Sequence, residues 1–310
     1  MTGSRILVIG ANGQIGTELA AALAARPGVD AVITSDLAPE GRAAGLRHEM
    51  LDVTDAAALR TVVARHRITQ VYHLAAALSA SGEQHPQWAW SLNMGGLLNV
   101  LDLARAWPLE RVFWPSSIAA FGPTTPDTAG QYTVMDPTTV YGISKLAGER
   151  WCAWYHANHG VDVRSLRYPG LISWKTPPGG GTTDYAVEIF HAARREGRYS
   201  CFLRDDTRLP MMYMDDAIRA TIELMEAPAD RIGERGSYNL AGCSFTPREI
   251  ADEIARHVPG FTLASAPDFR QRIADSWPQV IDDALAREHW GWRPRYDLHA
   301  LVRDMLAHLR

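Results

Sequence analysis

Five short runs, RILVIG, DAVITSD, QVYHLAA, RVFWPSS and VDVRSLRYP, are apolar at nearly every position instead of every second one, and segments of helical period separate them. A strand that is apolar on both sides has to be covered on both sides, which helix crossovers achieve and open meanders do not. The rhythm therefore predicts βαβ units and an α/β fold built on a doubly wound (Rossmann) parallel sheet between two helix layers. After residue 170 it breaks at SWKTPPGGGTTDY, and helical patterns follow near 184–196, 215–226, 246–257, 279–289 and 297–309. The expected organisation is a sheet domain over 1–170, with later segments returning to it, and a smaller, mainly helical C-terminal lobe over 171–310.

Composition excludes several classes. With 46% hydrophobic and 21% charged residues the chain has an ordinary globular balance. A formal net charge of -4, without a basic cluster interleaved with aromatics, gives no footprint for a nucleic-acid backbone. MTGSRILVIG enters a strand without a charged region, a long apolar region or a cleavage site, and no apolar run reaches membrane-spanning length. A cytoplasmic protein without nucleic-acid or membrane partners is expected. Cys152, Cys201 and Cys243 are odd in number and far apart, so no disulfide framework or structural zinc site is indicated. His156 and His159 lack a Cys or Glu at ligand spacing and read as solvated, so no metal is expected.

The first strand runs into GANGQIG, which places Gly10, Gly13 and Gly16 in the turn before the first helix. Gly10 permits the tight turn, Gly13 lets backbone approach a pyrophosphate, and Gly16 lets helix and strand pack closely. Gln14 and Ile15 open the helix, whose N-terminus would face the phosphates. Asp36 closes the second strand about 20 residues after Gly16, where a carboxylate takes the ribose hydroxyls and repels a 2′-phosphate. That pairing predicts NAD as cofactor.

A second feature concerns a scarce residue. Of 31 basic residues only Lys145 and Lys175 are lysines, and Lys145 lies in YGISK, four after Tyr141. On a helix the two share a face, so an ammonium there would favour the phenolate of Tyr141, which is otherwise a poor base at neutral pH. A compact ammonium also reaches between a tyrosine and ribose hydroxyls, where a planar guanidinium does not. Ser116 and Ser117 end the RVFWPSS strand, and a hydroxyl there can steady a substrate oxygen.

The glycine triplet, Asp36, HLAA at 73–76, the paired serines and YGISK together resemble the extended short-chain dehydrogenase/reductase family. The resemblance runs to the closing WGWRPRYDL and implies further contacts. Leu74, Ala75 and Ala76 would line the adenine and phosphate side, Asp52 and Val53 would contact adenine, and Tyr168 would lie by the nicotinamide. Counted back from Gly122, Ser117 matches the family's catalytic Ser/Thr. A homodimer through paired helices is implied too, with Trp151 and Trp154 on the contact helix.

PSSIAAFGP, YPGLISWKTPPGGGTTDYAVEIFHAA, LPMMYMDDAIRATIELM and WPQVIDDALA are similar to the branch of that family that oxidises L-threonine at C3 without a metal. The implied product is 2-amino-3-oxobutanoate, with Tyr141 as general base, Ser117 on the oxygen and Lys145 on tyrosine and ribose. GGGTTDY places backbone and hydroxyls at a helix start, a seat for a small carboxylate. Gly181 and Thr183 are the candidates for that contact, with Ser79 as a further hydroxyl. Two other readings share the motifs: a nucleotide-sugar epimerase or dehydratase, and a non-catalytic NAD sensor.

Overall fold

The computed structural model describes residues 3–176, 179 and 181–309, with the side chains of 79–81 outside that set. The chain forms two compact units. The first comprises Met1–Ser117, Thr139–Arg167 and Ile218–Tyr238, and the second Ile118–Thr138, Tyr168–Ala217 and Asn239–Arg310.

The first unit is built on six strands: β1 (Ser4–Ile9), β2 (Val29–Asp36), β3 (Arg47–Met50), β4 (Gln70–His73), β5 (Arg111–Phe113) and β6 (Val163–Arg164). Their order is β3-β2-β1-β4-β5-β6, and every neighbouring pair is parallel. The order reverses between β1 and β4, which leaves a crevice at the carboxyl ends of those strands. Leu7, Val8, Val71, Val112 and Val163 are wholly buried, as strands apolar on both faces require. Of the run 161–169, only Val163–Arg164 joins this sheet.

Helices α1 (Gln14–Ala24), α2 (Ala56–His66), α3 (Ser79–Gln84), α4 (Pro86–Trp90), α5 (Gly96–Ala106) and α6 (Val140–His159) belong to the same unit. A π-helical stretch, Ser91–Gly95, joins α4 to α5. Local chemistry sets the ends of α6. The Thr139 hydroxyl accepts from the Gly142 N–H at 3.0 Å, the Val140 N–H donates to Glu83 at 2.7 Å, and Gly160 stops the helix in the left-handed region. The N-terminus of α6, which carries Tyr141, is thereby held on both its cap and its first amide.

The second unit contains β7 (Gly170–Ile172), β8 (Arg198–Cys201), β9 (Leu209–Tyr213), β10 (Cys243–Phe245) and β11 (Thr262–Ser265), with α7 (Tyr185–Glu196), α8 (Pro247–Ala255) and α9 (Leu298–His308). β7, β9 and β10 form one sheet and β8 pairs with β11. Tyr185, Phe190, Phe245, Ile250, Leu301 and Met305 share its core. A capping box of Thr246 and Glu249 starts α8. Among the described residues, no helix is long and apolar enough to cross a membrane.

Candidate active site

The glycine turn is bound tightly to the sheet. Gly10 has φ +78°, and a Cβ there would stand 2.6 Å from the Ala75 nitrogen; at Gly16 it would stand 2.5 Å from the Gly10 carbonyl oxygen. Both positions need glycine for the chain's own sake. Gly13 differs: its φ of −73° suits any residue, and an added Cβ would approach only the Gly10 carbonyl, at 3.3 Å. The space beside it lies open to a ligand that comes close to the backbone. Gln14, Ile15 and Gly16 follow in the first turn of α1, whose N–H groups have no acceptor within the helix.

Gly10 and Gly13 line a cleft with Asp36, Asp52, Val53, Leu74, Ala75 and Ala76. Leu37, Leu51 and Leu92 add an apolar surface there for a flat ring. The Asp36 carboxylate accepts from the Asn12 N–H at 3.1 Å, which fixes it beside the glycine turn. Asn12, unnoticed in the sequence reading, also donates to the Glu40 carbonyl and accepts from the Arg42 N–H. A polar residue between two turn glycines was its sole local sign. Backbone amides, a carboxylate and an apolar slot together fit a dinucleotide.

The candidate catalytic residues gather where α6 meets the segment after β5. Tyr141 is half-buried and shares a side-chain hydrogen bond with Ser117. Lys145, 3% exposed, donates from Nζ to the Pro115 carbonyl at 2.6 Å and lies 4.5 Å above the Trp114 ring and 5.3 Å from the Tyr141 ring centre. Ser116 turns inward and donates to Glu149 Oε1 at 2.6 Å. Only one of the two serines therefore reaches the phenol.

Electrostatics here differ from the simple expectation that the ammonium ionises the phenol. Burial pushes Tyr141 up to about 12, and the Ser117 hydrogen bond opposes that shift. Burial pulls Lys145 down to about 7, against Cys152 and Glu149. The reason is geometric, because the ammonium is bonded to Pro115 and not to the phenol oxygen. His73, at the end of β4, is driven down to about 3 by burial and by Lys145, and stands neutral beside it.

Asn93, in the π-helical stretch and nearly fully buried, was also unnoticed. It accepts from the Ala77 N–H at 2.7 Å and donates to the Ala77 carbonyl and to the Ser144 hydroxyl, which itself bonds the Tyr141 carbonyl. This ties the loop after β4 to the first turn of α6. Ser79 opens α3, and its side chain lies outside the described residues.

Tyr168, Gly181 and Thr183 belong to the second unit. Tyr168 is buried, and the Gly181 N–H donates to Asp184 at 2.7 Å, so that carboxylate clasps the turn before α7. The Thr183 side chain packs on Gly170, where a Cβ would stand 2.7 Å from it. A group of Glu253, His257 and His299 also lies in this unit, with ligand atoms within 4.8 Å of one another. His156 and His159 are not part of it; the first bonds the Val161 carbonyl and the second packs on Trp154.

A parallel sheet with a glycine turn, a carboxylate at the end of the second strand and a Ser/Tyr/Lys group whose lysine is buried defines a dinucleotide-dependent oxidoreductase architecture. Residues 6–241 match the NAD dependent epimerase/dehydratase family, and the chain belongs to it, with NAD as its cofactor. A GalE-like L-threonine dehydrogenase from Cupriavidus necator, solved in its holo form, is 68% identical over 99% of this chain and 100% of its own, with a TM-score of 0.97. The mitochondrial L-threonine 3-dehydrogenase of Bos taurus is 47% identical over 97% of this chain and 82% of its own length. An L-threonine 3-dehydrogenase from a metagenome, described as monomeric, is 48% identical over 97% of both chains, with a TM-score of 0.93.

Proposed function

We propose that this chain oxidises the C3 hydroxyl of L-threonine to 2-amino-3-oxobutanoate. The observation that carries this reading is the shared hydrogen bond of Ser117 and Tyr141, with Lys145 buried one turn further on, in a chain 68% identical to a named threonine dehydrogenase. NAD, when bound, supplies the acceptor for the hydride that leaves C3. Gly10, Gly13, Gln14, Ile15, Gly16, Asp36, Asp52, Val53 and Leu74–Ala76 hold its adenosine and pyrophosphate. With its own proton passed to a deprotonated Lys145, the Tyr141 phenolate removes the hydroxyl proton, and Ser117 donates to the same oxygen as it becomes a carbonyl. Burial that disfavours a free phenolate also strengthens every dipole acting on that oxygen.

Lys145 serves the pair as a proton reservoir and as a donor to the nicotinamide ribose. Ser116 acts indirectly, through Glu149. Tyr168, Ser79, Gly181 and Thr183 complete the cofactor and substrate contacts in this reading, with the last two meeting the threonine carboxylate. No step calls on a metal. A cytoplasmic homodimer is part of the proposal: Ile143, Trp151 and Trp154 of α6 are 46%, 39% and 46% exposed, and large apolar groups so placed mark association surfaces. Sedimentation of the parent chain should give a dimer and Trp154→Glu a monomer. A monomeric parent removes that part.

The deciding experiment measures NADH formation from a panel of 3-hydroxy amino acids and nucleotide-sugars. Threonine should be the productive substrate, and Tyr141→Phe should lower kcat about 10²–10⁴-fold with NAD affinity kept. Turnover of a nucleotide-sugar instead would establish an epimerase or dehydratase. Unchanged behaviour of Tyr141→Phe in every assay would leave an NAD sensor.

A further inference from the structure

The three residues that follow Trp114 each bond a different residue of one helical stripe. Lys145 Nζ donates to the Pro115 carbonyl, Ser116 Oγ donates to Glu149, and Ser117 shares a hydrogen bond with Tyr141. Tyr141, Lys145 and Glu149 are four apart in succession, so they occupy a single face of α6. The pair of reactive groups is thus two rungs of a ladder, and Glu149 forms the third.

Glu149 is 1% exposed, and its carboxylate is fully engaged. Oε1 accepts from Ser116 at 2.6 Å and from Arg167 Nε at 2.9 Å, while Oε2 accepts from Arg167 Nη2 at 2.8 Å. Arg167 is itself 4% exposed, so the two charges lie almost wholly out of water. Such a pair is costly to desolvate and gains little over apolar packing as a mere staple. Arg167 alone would satisfy it as a fork on a carboxylate. The added bond to Ser116 needs a different reason, and its place beside Ser117 supplies one.

Resting on the reading of Tyr141, Ser117 and Lys145 given above, we propose that Glu149 is a positioning residue for hydrogen transfer. It clamps Ser116 so that the next residue offers its hydroxyl to Tyr141, and it sets one negative charge a turn beyond Lys145. Among the described residues, the charged and titratable groups around Lys145 and Tyr141 include Glu149 and Cys152 on α6, His73 on β4, Arg167 against Glu149, and Glu83, whose carboxylate accepts from the Val140 N–H. His73 is neutral by burial, and burial likewise keeps the Cys152 thiol protonated. Glu149 is therefore the carboxylate that opposes the loss of the Lys145 proton.

Two variants separate the clamp from the charge. Ser116→Ala removes one hydroxyl and no charge, so it should lower kcat about tenfold, the cost of loosening an aligned donor, with the pH profile of kcat/KM unmoved. Glu149→Gln keeps an oxygen for Ser116 and deletes the charge. With the anion gone, the proton leaves Lys145 more readily, so the acid-side fall of the kcat/KM profile should move about one unit toward lower pH. A purely structural Glu149 would change the height of that profile and not its position. Ser116→Ala with the parent kcat overturns the clamp, and a Glu149→Gln profile superimposed on the parent overturns the charge. Should Glu149→Gln fail to fold, Ser116→Ala still decides the clamp, and Arg167→Lys, which keeps the cation and breaks the fork, tests it again through kcat. The underlying reading fails separately, through an active Tyr141→Phe.

Discussion

Replacing Gly13 by alanine separates what the glycine turn does for the chain from what it does for the cofactor. At Gly13 the backbone already has φ −73° and ψ 173°, and the new methyl approaches nothing but the Gly10 carbonyl, at 3.3 Å. The cost without nucleotide is that of alanine in place of glycine at an N-cap, about 1 kcal/mol at most, or about 3 °C in thermal midpoint. On the proposed reading, the same methyl stands where the cofactor's pyrophosphate meets the first turn of α1. Losing one charge-assisted bond from those amides costs about 1.5–3 kcal/mol, which is about 10- to 150-fold in NAD affinity. Gly16→Ala should behave the opposite way. Its Cβ would meet the Gly10 carbonyl at 2.5 Å and Ala11 Cα at 2.7 Å, both backbone, so stability falls by about 2–3 kcal/mol before any ligand is added. Calorimetric titration with NAD and thermal unfolding of the apo variants measure the two quantities independently. A Gly13→Ala protein that binds NAD as tightly as the parent refutes the reasoning, since the open space would then have no ligand to admit.

Asp36→Ala removes the carboxylate that repels a 2′-phosphate, so the ratio of NADP to NAD use in kcat/KM should rise about tenfold, read from paired coenzyme titrations. Turnover should depend on pH in a stated direction. Lys145 sits near 7 and the phenol near 12, so the pair keeps both protons below about 7 and sheds one above it. A phenol in the doubly protonated pair has no capacity to take the substrate proton, hence kcat/KM should fall as pH drops through about 7. A profile flat from pH 6 to 9 (about two units either side of neutrality at most) would show that this pair does not limit the reaction.

Much of the first unit was legible because its signals are local. Strands buried on both faces write themselves as unbroken apolar runs, and the turn before α1 needs glycine for reasons confined to a few residues. β1, β2, β4, β5 and the parallel order follow from that. The run 161–169 was less legible, since one apolar stretch holds both the sheet strand Val163–Arg164 and the separate strand Leu166–Tyr168. Burial of Arg164, whose guanidinium forks onto Asp162, is also invisible to a hydrophobic pattern. The small sheets of the second unit were hard to read because β7, at Gly170–Ile172, pairs with a strand some forty residues on, at Leu209–Tyr213. Pairing over that span leaves no period in either segment.

Within the site the boundary falls between residues that act on a ligand and residues that act on those residues. Tyr141 and Lys145 announce themselves by spacing on one helix face. Asn93 and Glu149 do not, because each is defined by partners 16 to 51 and 18 to 33 residues away, at atoms no motif encodes. Sequence also misjudged the electrostatics for the same reason. Spacing puts an ammonium near a phenol, yet the Pro115 carbonyl that captures the ammonium comes from a different element, and burial then raises the phenol more than any neighbour lowers it. The consequence is mechanistic. On the proposed reading, a tyrosine kept neutral at rest first passes its own proton to a deprotonated Lys145, and only its phenolate then takes the proton of a substrate oxygen aligned with Ser117, so alignment by the rungs behind Ser117 and that transfer set the rate together.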